Sequence, residues 1–228
     1  MSNRSIHTLL KSWDEECPLT REEAVEVLNL PEEEMDSLME CAYALRTKYK
    51  GKKVSVQLLT NVRSGNCTQN CAYCAQSKDS QAEIEKYKRV SDEKLYGDND
   101  LVDEKHLARH CIGLSGIGFS DEEIEDLADR IREMKKKDTQ ICCSIGFLTE
   151  KQARILKDAG LDRINHNLNS SRSYYPEICT THTYDQRVNN IKMLQSLGFE
   201  ICSGGIVGMG ESKEDIVDTV SYTHLTLP

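Results

Sequence analysis

Along most of this chain, apolar and polar positions alternate between two rhythms. Arg109–Ser115, Gln140–Gly146, Arg163–Asn169 and Glu200–Val207 are short runs with period-two character and read as strands. Val54–Thr60 is a similar run further upstream. Between them lie longer stretches with helical spacing. Ile124, Leu127, Ala128, Ile131 and Met134 fall on one stripe, and Val188, Ile191 and Leu194 on another. Five strands alternating with helices imply a parallel sheet, and right-handed crossovers make a barrel the natural closure. The expected fold class is α/β, a partial (β/α)8 TIM-type barrel of about five units with an N-terminal helical extension.

The helix starts are written in capping residues. Thr20–Glu23, Ser120–Glu123, Thr149–Gln152 and Thr183–Gln186 have the capping-box form, and Ser212–Asp215 opens a last helix. Gly160 and Gly198 close two of the helices. Residues 1–50 read as helical, with Pro31 at a first helical position and Met35, Leu38, Met39, Ala42 and Leu45 at helical spacing. Residues 77–108 are strongly polar and read as part helix, part loop, with Gly97-Asp98-Asn99-Asp100 as a turn. The expected division is a helical extension over 1–50, a partial barrel over 51–220 and a divergent, possibly foreign tail over 221–228, where the residues break the helical pattern begun at Ser212. Trp13, Cys17 and Cys41 carry no assignable role.

Composition narrows the classes. The chain has 228 residues, a net charge of −9 and a hydrophobic fraction of 38%. That acidity argues against nucleic-acid binding. No apolar run approaches the ~20 residues of a membrane helix, and the N-terminus lacks a signal-peptide core. The expectation is a cytoplasmic protein, whose ten cysteines are metal ligands or buried thiols rather than disulfides.

Asn66-Cys67-Thr68-Gln69-Asn70-Cys71-Ala72-Tyr73-Cys74 follows the first strand and holds three cysteines as C-x3-C-x2-C. Three thiolates so close can converge on one metal centre; a zinc site would want a fourth ligand, whereas iron–sulfur clusters are held by thiolates. Strand alternation sends a second set, Cys111, Cys142 and Cys202, toward the barrel axis, with Cys143 facing the helices. A barrel interior normally holds Val, Ile and Leu, so three thiols there suggest a second metal centre, against the alternative of structural thiols. Asn165, Asn167 and Asn169 share one face of the fourth strand and read as ligand contacts, because a buried amide without a partner costs about 1–3 kcal/mol. His166 falls on the opposite face and reads as a packed or capped histidine.

The C-x3-C-x2-C loop resembles that of the radical S-adenosylmethionine enzymes. Asn165-His166-Asn167-Leu168-Asn169 and Cys202-Ser203-Gly204-Gly205-Ile206-Val207-Gly208-Met209-Gly210-Glu211 narrow the resemblance to the biotin synthase family, over about Val54 to Val220. The resemblance implies a (β/α)8 barrel and a sulfurtransferase that converts dethiobiotin to biotin by radical chemistry. It implies a [4Fe-4S] cluster on Cys67, Cys71 and Cys74 with S-adenosylmethionine on its open iron. It implies an auxiliary cluster, usually [2Fe-2S], on Cys111, Cys142 and Cys202 as sulfur donor, with an arginine from a late strand beyond this chain. Asn165 and Asn167 would contact the substrate. Tyr73, Asn167, Asn169, Gly204, Ile206 and Gly208 would line the nucleoside; the family often has aspartate where Asn169 stands. Cys179 matches no family role. The implied partners are a flavodoxin- or ferredoxin-type electron donor and a second copy in a homodimer. The rival readings are a related radical enzyme on another small molecule, an inactive fragment, and a non-catalytic metal-binding scaffold.

Overall fold

The structure is a computed structural model and describes residues 19–225. Trp13 and Cys17 lie outside that range. Helices α1 (Arg21–Leu28) and α2 (Met35–Lys50) come first, separated by a 3-10 turn, Glu32–Glu34. Pro31 is the N-cap of that turn rather than the first residue of a helix. There follow β1 (Gln57–Arg63), α3 (Asp92–Glu104), β2 (Arg109–Leu114), α4 (Asp121–Met134), β3 (Ile141–Ser144), α5 (Glu150–Asp158), β4 (Arg163–Asn165), α6 (Tyr175–Ile178), α7 (Tyr184–Ser196), β5 (Glu200–Cys202) and α8 (Lys213–Leu225).

The five strands form one sheet in the order β1-β2-β3-β4-β5, and every neighbouring pair is parallel. This is the arrangement that successive right-handed β/α units generate. The strands are shorter than the alternation suggests. β1 begins at Gln57, not Val54, and the pairing of β4 and β5 stops at Asn165 and Cys202. Beyond them the two chains stay together through a single bridge between Asn169 and Gly205.

The core sits between the outer face of the sheet and the helices. Val62, Ile112, Cys143 and Ile164 meet Leu95, Ile124, Leu127, Ile131 and Leu156 there. Each such side chain contributes roughly 1.5–3 kcal/mol on leaving water. Cys143 is fully buried in this layer, on the helix side as its parity requires. A second cluster, with Leu168, Tyr175, Ile178, Cys179, Tyr184, Val188 and Ile191, packs beneath the loops that follow the strands.

Two expectations from sequence fail. Gly97–Asp100 is not a turn but lies inside α3. Leu95 and Val102 are buried on the same helix, Asn99 Nδ2 donates to the Met134 carbonyl at 3.2 Å, and Asp98 accepts from Thr60 at 2.6 Å. These turn-forming residues have tertiary partners that favour the helix. Likewise the helical pattern does not break at Ser221, because α8 continues through Leu225. At the other end, α1 docks on α8: Arg21 pairs with Asp218 at 2.6 Å, and Lys213 reaches Asn29 Oδ1 at 2.6 Å.

Candidate metal centre

The loop after β1 is fixed by its own side chains and by the loop after α6. Gly65 turns with φ +73°, and its N–H donates to Gln76 Oε1 at 2.7 Å. Asn70 is the cross-brace: its Nδ2 donates to Thr180 Oγ1 at 2.7 Å, and its Oδ1 accepts from the Thr180 and Thr181 N–H groups at 3.0 and 3.2 Å. The Ala72 N–H donates to the Ile178 carbonyl at 2.9 Å.

This framing sets Cys67, Cys71 and Cys74 on the wall of one cavity of about 490 Å³. Asn165, Asn167 and Asn169 line the same cavity. They do so from the end of β4 and the loop beyond it, not from one continuous strand face. Asn169 takes φ +70°, which asparagine tolerates better than most residues. That turn lets its Nδ2 donate to the Tyr73 hydroxyl at 2.6 Å. Burial pushes the Tyr73 phenol above its ordinary range, helped by Cys71 beside it. Asn165 lines this space, and its Oδ1 is buried with no hydrogen-bond partner, an acceptor left over that a ligand donor can satisfy after a small side-chain rotation. Three thiols as donors together with an unpaired acceptor fit an iron–sulfur group and a polar small molecule.

Sequence reading passed over Arg187. It lies on α7, and its guanidinium donates from Nε to the Tyr175 hydroxyl at 2.6 Å and from Nη1 to the Asn167 carbonyl at 3.0 Å. It also meets His182 Nε2 and lines the cavity. The available signal was position: Arg187 stands four residues before Ile191, at the margin of the buried stripe. Burial, then the field of Arg187, draws the His182 pKa down to about 4. His166 is a packed histidine, edge-on to Phe147 at 5.2 Å, with a pKa drawn down to about 3 by burial first. Contrary to strict alternation it also touches the cavity, because β4 ends before it.

In the second cysteine set, Cys111 and Cys142 lie one pleat below the cavity-lining Gly113 and Ser144 on the same strand face, and Cys202 is the last residue of β5. Cys111 stands opposite Cys142 in the register, and Cys142 opposite Arg163. Cys202 is one pleat higher, opposite Asn165, and close enough for its charge to act on Cys142. A side-chain hydrogen bond with Cys142 draws the Cys111 thiol down to about 7 against burial, with Arg109 and Arg163 adding to it, and the same contact together with burial pushes Cys142 up. Arg163 is itself held by Glu200, its partner in the next strand. Positive charge therefore lies around the deep thiols as well as sulfur.

Gly204, Ile206 and Gly208 follow β5 and do not line the cavity, and Ile206 is 40% exposed. Their loop is nevertheless built. Glu211 accepts from the N–H groups of Gly208 and Met209 at 2.6 and 2.7 Å. Burial works against its charge, yet those N–H groups leave its carboxyl below the usual range. Gly208 needs its freedom, at φ +98°. The Ile206 N–H donates to the Asn169 carbonyl at 2.8 Å, which ties this loop to the asparagine loop.

Against known families, the radical SAM superfamily profile matches residues 61–223, a span that contains every residue of both thiol sets. The chain belongs to the radical SAM superfamily. The cofactor of that superfamily is a [4Fe-4S] cluster working with S-adenosylmethionine. Within the superfamily, the chain is 41% identical over 201 residues to a biotin synthase of Geobacillus kaustophilus (strain HTA426), covering 88% of this chain and 60% of that relative. The figures are the same for a biotin synthase of Bacillus subtilis (strain 168). The chain thus spans about 60% of the length of the curated relatives it matches. Its fold resembles the crystal structure of methylornithine synthase, with a TM-score of 0.82 over 96% of this chain and 64% of that one at 16% identity. This radical SAM chain has, among its described residues, no helix long and apolar enough to cross a membrane.

Proposed function

We propose that the chain carries the core of a biotin synthase, a sulfurtransferase that acts on dethiobiotin. The observation that supports this reading is a second thiol set, Cys111 and Cys142 paired across β2 and β3 and Cys202 opposite Asn165, on the strand face that carries Asn165 into the cavity walled by Cys67, Cys71 and Cys74. A radical enzyme that only rearranges or cleaves its substrate has no use for a sulfur store at that depth. The biotin synthases matched above point the same way.

In this reading Cys67, Cys71 and Cys74 hold the [4Fe-4S] cluster, and Cys111, Cys142 and Cys202 hold the auxiliary one, of [2Fe-2S] type. Bound there, the upper group would supply one-electron chemistry to S-adenosylmethionine and the lower one a source of sulfur. The protein's share is placement. Asn165 offers its unpaired carbonyl to an N–H of the ureido ring, and Asn167 lies beside it. Arg187 presents a fixed cation to a carboxylate in the cavity. Tyr73 and Asn169 brace each other where the nucleoside sits, and Ile206 covers it from the rim. A small flavodoxin- or ferredoxin-type protein supplies electrons, and a second copy completes a homodimer.

The test is anaerobic reconstitution with iron and sulfide, followed by reductant and S-adenosylmethionine. Formation of 5′-deoxyadenosine that rises on adding dethiobiotin supports the reading. The Cys67→Ala/Cys71→Ala/Cys74→Ala variant should form none, yet retain iron and sulfide on the lower thiols. Loss of all iron in that variant, with turnover of dethiobiotin absent in the parent, rejects the biotin reading in favour of another radical enzyme.

A further inference from the structure

Cys179 has no part in the scheme above, yet it is not an isolated buried thiol. Its Sγ lies 3.8 Å from Cys71 Sγ and 3.3 Å from His182 Nδ1. The three ligand atoms lie within 4.8 Å of one another, and the residues are 8%, 3% and 6% exposed for Cys71, Cys179 and His182. Two sulfurs at ~2.3 Å from a tetrahedral zinc stand about 3.8 Å apart, and a sulfur and an imidazole nitrogen about 3.5 Å apart. The Cys71–Cys179 and Cys179–His182 spacings in this chain are close to these, and the third pair lies within 4.8 Å. The backbone beneath it is fixed, because Asn70 and the Ala72–Ile178 bond pin the segments that carry Cys71 and Cys179. Gln69 Oε1, 2.9 Å from His182 Nδ1, brings an oxygen to the edge of the group.

We propose that Cys71, Cys179 and His182 form a zinc-type site in the cluster-free chain, and that a metal there takes Cys71 away from the C-x3-C-x2-C set. The two occupancies exclude each other, since one thiolate cannot serve both centres at once. Binding displaces the two thiol protons to solvent and moves the imidazole proton from Nδ1 to Nε2. Arg187 must then turn from His182, and it keeps its bonds to the Tyr175 hydroxyl and the Asn167 carbonyl. Thiolates next to a divalent ion are stabilised, so the site takes soft borderline cations in preference to magnesium or calcium. The outcome is a parked state: the loop is closed over its own thiols, inert toward iron until the cation is withdrawn. This inference does not depend on which substrate the cavity takes.

Cobalt(II) is the probe, added anaerobically to the reduced, metal-free chain in a Cys111→Ala/Cys142→Ala/Cys202→Ala background, shared by every variant below, so that the lower thiols do not contribute to the spectrum. One equivalent should give the thiolate charge-transfer bands and the intense ligand-field bands of a tetrahedral centre. The Cys67→Ala/Cys74→Ala variant, which leaves the trio intact, should give the same spectrum. Cys179→Ser and His182→Asn should lose it, and zinc should displace cobalt. In a second arm, one equivalent of zinc should block iron and sulfide uptake by the loop in the parent chain, but not in Cys179→Ser. Should Cys179→Ser prove unfolded by circular dichroism, the Cys67→Ala/Cys74→Ala variant decides alone. Tetrahedral cobalt lost in that variant, or retained in a folded Cys179→Ser, overturns the proposal.

Discussion

Single residues at the cavity do two jobs, and the pair Tyr73 and Asn169 shows how. The amide must adopt a left-handed turn to reach the phenol, so each fixes the other. Tyr73→Phe leaves the amide with one partner fewer in a confined space, a loss worth about 1–3 kcal/mol. Asn169→Ala removes the same contact from the other side. Urea unfolding of the two single variants and the double variant should show non-additivity of about 1 kcal/mol; additive losses would mean the bond contributes nothing. Gly146 acts by lacking a side chain: a Cβ there would fall 2.3 Å from the Ile117 carbonyl oxygen. Gly146→Ala must push two strand-end loops apart at the cavity wall. We expect a loss of about 1–3 kcal/mol in urea unfolding, comparable to overpacking elsewhere.

At the scale of elements, helix starts were the most legible feature of the sequence. Thr20, Ser120, Thr149 and Thr183 each accept from the N–H three residues on, and each donates its own N–H back to the Glu or Gln side chain there. These signals are local, and no tertiary contact is needed to read them. Thr149→Ala should therefore destabilise the fold by about 1 kcal/mol with no change in cavity ligands, seen as a lower urea midpoint at unchanged slope. Strand ends were less legible, since alternation continued through His166–Asn169 after pairing had stopped at Asn165. Helix α3 was hidden by Gly97 and the acidic residues after it. Its reasons are long-range: Asp98 accepts from Thr60, and Asn99 donates to the Met134 carbonyl. The shared cavity wall of Cys67, Cys71 and Cys74 and the shared strand face of Cys111 and Cys142 were readable from spacing and parity. Arg187 and the Cys71–Cys179 contact were not, because they depend on how the loops after β1 and α6 meet.

For the whole molecule, acid is the informative stress. His110, His166 and His182 are buried, with pKa values drawn down to about 4, 3 and 4 from the ordinary 6.5, burial being the first cause in each. His110 is wedged on the helix side of the sheet with Nε2 2.8 Å from Thr60 Oγ1. The unfolded chain takes up these protons below pH 6.5, and the folded chain does not until about pH 4. Stability is therefore full above 6.5 and falls progressively as the pH drops toward 4, on the order of 1 kcal/mol per unit for each histidine. Melting at about pH 7.5 and about pH 5 tests this; equal midpoints would mean the imidazoles open to solvent without unfolding.

The side-by-side order of the strands has a consequence for biosynthesis. A strand leaving the ribosome finds its neighbour already made, so the sheet can grow at one edge during translation. Cys111 and Cys142 come together early, while their third companion, Cys202, arrives at the end of the fifth strand. The upper thiols, Cys67, Cys71 and Cys74, emerge before any of these. A nascent chain thus carries its first three thiols unaccompanied until the fifth strand is made, and under the function proposed above any metal taken up before then would meet half a site.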